Sequence, residues 1–218
     1  DFVESYNSIY LNISDMTNLA FSSDDSSGPL AGDSLARKIQ RDLRSFTTQS
    51  ISGYEGGPYS LSLLGIQTNR DGSIALNSNI LKNSFEAQPK IIDAMFKNQL
   101  TSDNALVEVT TLGSDTQPGS YAITKSGSDY FIDGVQLSNN GTLYTSGSGN
   151  SSGMVINIAS TNVTSANIYY GKSLMTQIDD DLTSLLTFNG DISTKISNLS
   201  EKMSDFKEQK VSLEERMD

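Results

Sequence analysis

A heptad pattern near the end of the chain constrains its fold more than any other feature. From residue 192 to residue 217, steps of four and three residues alternate without an error, and seven of the eight positions are apolar. The eight positions of this heptad seam are Ile192, Ile196, Leu199, Met203, Phe206, Lys210, Leu213 and Met217. Such spacing is typical of a coiled coil, in which one polar position lowers stability but can fix register or oligomeric state. The pattern therefore predicts a long helix whose seam packs against another helix.

Two alternatives are open for the partner of the heptad seam. One is a helix of a neighbouring chain. The other is an opening helix of the same chain, whose apolar stripe at helical spacing consists of Val3, Tyr6, Ile9, Tyr10 and Ile13. In either case we expect Leu199 to be packed rather than exposed.

Residues 59–96 change period from strand to helix and predict a hairpin followed by helix. An apolar run from Leu61 to Ile66 predicts the first strand, and Ile74 and Leu76 alternate as a half-buried second strand does. Between them, Asn69, Asp71 and Gly72 form a turn signal, because Asn and Asp fold back on their own backbone and Gly tolerates a positive φ. The hairpin is therefore expected at residues 61–76, with apolar residues at helical spacing following it.

The chain divides into three sections and predicts an α+β protein. Residues 1–104 are expected to form a helical, coiled-coil-like region that contains the hairpin. Residues 105–170 hold short apolar runs broken by Gly, Asn and Ser, which is typical of a small antiparallel β module. Residues 171–218 return to helix and are expected to rejoin the first section.

Composition excludes several classes of function. A net charge of −11 over 218 residues argues against binding to nucleic acid or to an anionic membrane, and no apolar run is long enough to span a bilayer. The chain has no His and no Cys, which removes the commonest general base and metal ligand as well as disulfides and thiolate chemistry. The consecutive carboxylates Asp179, Asp180 and Asp181 point in different directions on a helix and cannot chelate together. We expect no catalytic, cofactor-binding or metal-binding site and no enzymatic activity.

The order of residues around the hairpin resembles the C-terminal region of one family, the flagellar filament cap protein, also called flagellar hook-associated protein 2. That family shows a Leu–Gly–Ile strand, a turn with Asp–Gly, a short strand, a helix, a Pro and a closing Phe. The matching residues are Leu64, Gly65, Ile66, Thr68, Asp71, Gly72, Ile74, Leu76, Leu81, Pro89 and Phe96. The resemblance covers residues 1–96 and 172–218, and residues 105–165 read as an inserted module.

The resemblance implies a non-catalytic assembly function. Several copies of such a protein form a cap with helical legs at the distal, extracellular end of the bacterial flagellum, after export by the flagellar type III system. The cap promotes insertion of flagellin, and the implied partners are further copies of the chain, flagellin, hook–filament junction proteins and a dedicated export chaperone. The open alternatives are a surface adhesin that binds host mucin or other glycans, and a flagellin-like fibre subunit. Both ends, Asp1 and Asp218, lie within helical patterns and are expected to continue in a longer protein.

Overall fold

Helices and antiparallel sheets occupy separate parts of the chain, and this confirms the predicted α+β fold. The fold is that of a computed structural model, which describes residues 2–19, 26–187 and 190–214. Of the heptad seam, Met217 lies outside these residues, and the side chain of Leu213 is outside the description. No helix in the described ranges is long and apolar enough to cross a membrane.

Within the described residues, six α-helices form the helical part of the fold. They are α1 (Phe2–Thr17), α2 (Ser34–Thr48), α3 (Ser78–Ala87), α4 (Lys90–Phe96), α5 (Leu174–Leu186) and α6 (Asp191–Glu214). Side chains cap three of their N-termini, because Asp33, Asn77 and Ser173 accept hydrogen bonds from the first free amide groups of α2, α3 and α5. The apolar faces of α1, α2, α4 and α5 share one core with the hairpin, and its most buried members include Ile51, Ile91 and Leu174.

The hairpin has a shorter first strand than the sequence predicts. Strand β1 (Ile66–Thr68) pairs antiparallel with β2 (Ile74–Leu76), with Thr68 opposite Ile74. The residues expected to begin the first strand, Leu61–Leu64, instead form a 3-10 turn that ends at Gly65 in the left-handed conformation. Leu61 and Leu64 are both buried in this turn, so their apolar character reflects burial in the helical core rather than strand periodicity.

In the part of the chain that the structure describes, nine short strands form two antiparallel sheets around a second apolar core. The strands are β3 (Gln99–Ser102), β4 (Val107–Thr111), β5 (Gly119–Ser126), β6 (Asp129–Ile132), β7 (Val135–Gln136), β8 (Ser138–Asn140), β9 (Leu143–Thr145), β10 (Val155–Ile158) and β11 (Ser165–Gly171). One sheet has the order β3-β11-β5-β6-β7 and the other the order β4-β10-β9-β8. Inward-facing residues such as Ile132, Ile156 and Ile168 are fully buried between them.

Close backbone contact joins the end of β11 to the loop that precedes the hairpin. A side chain on Gly53 would meet the carbonyl oxygen of Tyr170 at 1.9 Å, and the amide of Gln99 donates to the Gly53 carbonyl over 3.0 Å. Strand β3, which contains Gln99, lies in the range assigned by sequence to the helical section, although it pairs with β11. The division of the chain into three sections stays a prediction. We propose residues 104 and 170 as its approximate boundaries.

Candidate interaction surface

The heptad seam runs along the surface of α6, and most of its described apolar side chains are exposed. Four of its apolar side chains are at least half exposed: Ile196 by 59%, Leu199 by 50%, Met203 by 59% and Phe206 by 68%. Packing against α1, one of the two alternatives open from sequence, is therefore wrong for these positions. An apolar stripe this exposed marks a surface that another molecule or another segment covers.

The first turns of α6 are tied to α2 by ion pairs. Lys195 lies 3.0 Å from the carboxylate of Asp33, which also caps α2. Lys38 of α2 lies 3.4 Å from Asp191 and 2.9 Å from Asp42. Ile192, at the start of the heptad seam, is half-buried beside this junction, whereas from Ile196 to Ser212 the residues of α6 are exposed. The structure therefore anchors one end of α6 and leaves the rest projecting.

Hydrogen bonds at the junction between α2 and α6 favour the charged forms of Asp33 and Lys38. Hydrogen bonds from the backbone amide of Ala36 and from the Lys195 side chain hold the pKa of Asp33 below its usual value. Hydrogen bonds to Asp42 and Asp191 raise the pKa of Lys38. The Asp33 carboxylate and the Lys38 ammonium are thus both held in their charged forms.

A glycine sets the sharp corner between α5 and α6. A side chain on Gly190 would lie 2.4 Å from the Ser184 carbonyl oxygen and 2.7 Å from that of Leu185. The hydroxyl of Ser193 donates to the Thr187 carbonyl over 2.9 Å and thereby ties the first turn of α6 to the end of α5. The direction in which α6 leaves the core is therefore fixed by backbone packing at this corner.

The turn residues singled out by sequence lie together at the tip of the hairpin. The Gly72 amide donates to the Asn69 carbonyl over 3.1 Å, and Gly72 has a φ of +88°. The Asp71 carboxylate accepts hydrogen bonds from the hydroxyl and the backbone amide of Ser73 over 2.6 and 2.9 Å, and these bonds lower the pKa of Asp71. The turn is thus closed by its own side chains, as an Asx-type turn is.

Asn7, which no sequence pattern singles out, holds the hairpin on α1. The side-chain amide of Asn7 donates to the Ile74 carbonyl over 2.9 Å, and its oxygen accepts from the Ile74 amide over 2.7 Å. Asn7 thereby takes the place of a neighbouring strand residue. A lone Asn within an amphipathic helix carries no signal that would distinguish this role from a solvated position.

The chemistry available on these surfaces is that of packing and ion pairing. No group of three or more Asp, Glu, His or Cys side chains in the described ranges is placed to hold a metal ion. Asp180 forms a salt bridge with Lys172. The exposed heptad seam is therefore the feature on which a functional interpretation rests.

Comparison with known proteins agrees with the resemblance seen in the sequence. A profile of the family described as flagellar hook-associated protein 2 C-terminus matches residues 1–218. A crystal structure of domains D1, D2 and D3 of the flagellar cap protein FliD from Escherichia coli aligns with a TM-score of 0.45 and 18% identity. That alignment covers 90% of this chain but 34% of the E. coli chain, so this chain spans only part of that protein. No curated protein matches the chain. With a family match along its whole length, the chain belongs to the flagellar hook-associated protein 2 family, of which it represents the C-terminal region.

Proposed function

We propose that this chain is part of a non-catalytic protein that caps the distal end of the flagellar filament and promotes insertion of flagellin subunits beneath the cap. The match to the hook-associated protein 2 family over residues 1–218 is the observation that carries this proposal. Its site of action is then extracellular, at the filament tip, after export by the flagellar type III system.

The exposed heptad seam supports an assembly function rather than a reaction. An apolar stripe on a helix anchored at one end is suited to pairing with a further helix, as in a coiled coil. We therefore assign the heptad seam to the helical leg of the cap, where it packs against another helical segment of the assembled protein. Glu201, Asp205 and Glu208 lie between the seam positions and keep the remainder of α6 polar.

The proposed partners follow from this position. Further copies of the same chain form the cap, flagellin passes beneath it, and hook–filament junction proteins precede it on the growing structure. A dedicated chaperone holds the full-length chain before export, since an exposed apolar seam is prone to association.

Deletion of the gene that encodes this protein in its native bacterium tests the proposed function. We expect the deletion strain to release flagellin into the medium as unassembled monomer and to carry short or no filaments. Restoring the full-length gene should return flagellin to filaments. Filaments of normal length in the deletion strain, with no flagellin in the medium, would exclude a capping function.

A further inference from the structure

Helix α2 concentrates positive charge in an otherwise acidic chain. It carries four of the 15 basic residues of a chain whose net charge is −11. One of the four, Lys38, is paired with Asp42 and Asp191. The other three are Arg37, Arg41 and Arg44, which follow one another at steps of four and three residues. That spacing places them on one face of the helix, here called the arginine stripe.

The arginine stripe is available to a partner. Arg41 and Arg44 are exposed and Arg37 is half-buried, and none of the three forms a salt bridge with any residue in the described ranges. Three neighbouring guanidinium groups that form no salt bridge in the described residues repel one another, so an acidic partner would gain from binding there.

Helix α5 presents a surface with the complementary character. Asp179, Leu182 and Leu186 follow at steps of three and four residues and share a face, here called the α5 face. Leu182 is 42% exposed and Leu186 is 69% exposed. Asp179 is exposed and forms no salt bridge within the described residues. The nearby Lys172 pairs with Asp180.

The arginine stripe does not reach the α5 face of its own chain. The groove between the two helices is lined on α2 by Lys38, Asp42 and Ser45, among others, and by none of the three arginines. At 100° per residue, the arginine stripe lies on the flank of α2 that points away from this groove. A contact between the two surfaces therefore requires two molecules.

We propose that the arginine stripe of one copy binds the α5 face of a second copy. The aliphatic parts of the arginine side chains would cover Leu182 and Leu186, while a guanidinium group pairs with Asp179. Because the two surfaces differ, the contact is heterologous, and repetition of a heterologous contact generates a ring when the rotation closes. The inference rests on the proposed function, since it names the surfaces through which copies of the cap protein associate.

Charge reversal of each surface in the full-length protein tests the contact. The first variant carries Arg41→Glu with Arg44→Glu, and the second carries Asp179→Lys with Thr183→Lys, an exposed neighbour on the α5 face. Sedimentation velocity should show each variant alone associating roughly tenfold more weakly than the wild type, or worse, since like charges then face each other. An equimolar mixture should regain association, because acidic α2 then meets basic α5 and the unaltered surfaces also match.

The matched control is Arg70→Glu, which reverses an exposed arginine on the hairpin turn and should leave association unchanged. Circular dichroism melts that match the wild type establish that each variant is folded. Association of either variant at wild-type strength would overturn the proposal, and so would a mixture that stays dissociated. If the deletion strain described above assembles normal filaments, the capping function fails, whereas the contact between copies is judged by sedimentation alone.

Discussion

The ring of Tyr10 lies directly over Gly72, so that α1 and the hairpin turn touch with no room for a side chain on the glycine. A Cβ on Gly72 would lie 2.2 Å from both Cζ and the hydroxyl oxygen of Tyr10. Tyr10 is itself 4% exposed and stacks on Tyr6 at 5.8 Å between ring centroids. Gly72 is therefore required twice, for its φ of +88° and for its lack of a side chain.

Replacing Gly72 by Ala should destabilise the chain by about 2–4 kcal/mol, because strain at positive φ adds to overpacking against a buried ring. The matched control is Gly32→Ala, since Gly32 has a φ of +83° but open space around its Cβ. That control should lose only about 1 kcal/mol. Urea unfolding measures both, and equal losses would show that Tyr10 gives way at no cost.

The contact between Tyr10 and Gly72 can be isolated with a double-mutant cycle. Tyr10→Leu removes the ring, so Gly72→Ala made in that background should cost less than it does in the wild type. Strictly additive losses would contradict a direct clash between the two residues.

The contact between the end of β11 and the loop that precedes the hairpin should also be intolerant of an added methyl group. A Cβ on Gly171 would lie 2.5 Å from the ring of Tyr54, whose hydroxyl donates to the Lys97 carbonyl over 2.7 Å. Gly171→Ala should lower the unfolding free energy by about 1–3 kcal/mol through overpacking. Gly147→Ala, at a position with nothing within 4 Å, is the control and should leave the melting temperature almost unchanged. A large loss in the control alone would contradict this assignment.

The anchor between α2 and α6 should respond to acid in a defined direction. The pKa of Asp33 is lowered in the folded chain, so its carboxylate stabilises the fold above the unfolded pKa of about 4, and this contribution is lost as the pH falls through the lower folded value. Asp33→Asn keeps a capping side chain but removes the charge. Its melting temperature should therefore fall less steeply than that of the wild type below about pH 4.

Asp115→Asn, an exposed loop substitution, serves as the control for the acid experiment and should retain the wild-type pH profile. The comparison uses thermal melts followed by circular dichroism at a series of pH values. Identical profiles for Asp33→Asn and the wild type would show that the Asp33–Lys195 pair does not anchor α6.

The heptad seam predicts different results in isolation and in the cell. Leu199 is 50% exposed, so Leu199→Asp should change the unfolding free energy of this chain by no more than about 0.5 kcal/mol. In the bacterium the same substitution should cause release of flagellin as monomer. A charge buried in a packed seam without a counter-charge lowers the stability of the packing by roughly several kcal/mol.

Glu208→Gln, at an exposed α6 position outside the heptad seam, is the control and should leave filaments intact. The two measurements are a chemical melt and the ratio of filamentous to secreted flagellin. Normal swimming of Leu199→Asp cells on full-length filaments would show that the seam has no packing partner in the assembled protein.

Sequence periodicity predicted the helices and the β module well, because amphipathic faces and turn residues are local signals. Helix α2 begins directly after Asp33, whose side chain caps it, and α6 begins at Asp191, and both helices fall in the sections expected to be helical. The failures arise from tertiary contacts. The apolar character of residues 61–64 predicted a strand. These residues instead form a 3-10 turn, which ends at Gly65. The polar strand Gln99–Ser102 went unrecognised because its strand conformation comes from pairing with β11.

The candidate surface divides in the same way. The spacing of the heptad seam is readable from sequence, but whether Leu199 is packed or exposed depends on where α6 leaves the core. That direction is set by Gly190 against the Ser184 carbonyl and by the Asp33–Lys195 pair, which bring distant parts of the chain together. The hydrogen bonds between the Asn7 side chain and the Ile74 backbone likewise join residues that are 67 positions apart.

Immunogold labelling of intact flagella tests the capping proposal most directly. With an antibody to residues 105–165 of this chain, we expect one cluster of gold at the distal end of each filament and none along its length. Labelling spread along the filament would indicate a fibre subunit instead. Labelling restricted to the cell surface would indicate an adhesin, and either result would contradict the proposed cap.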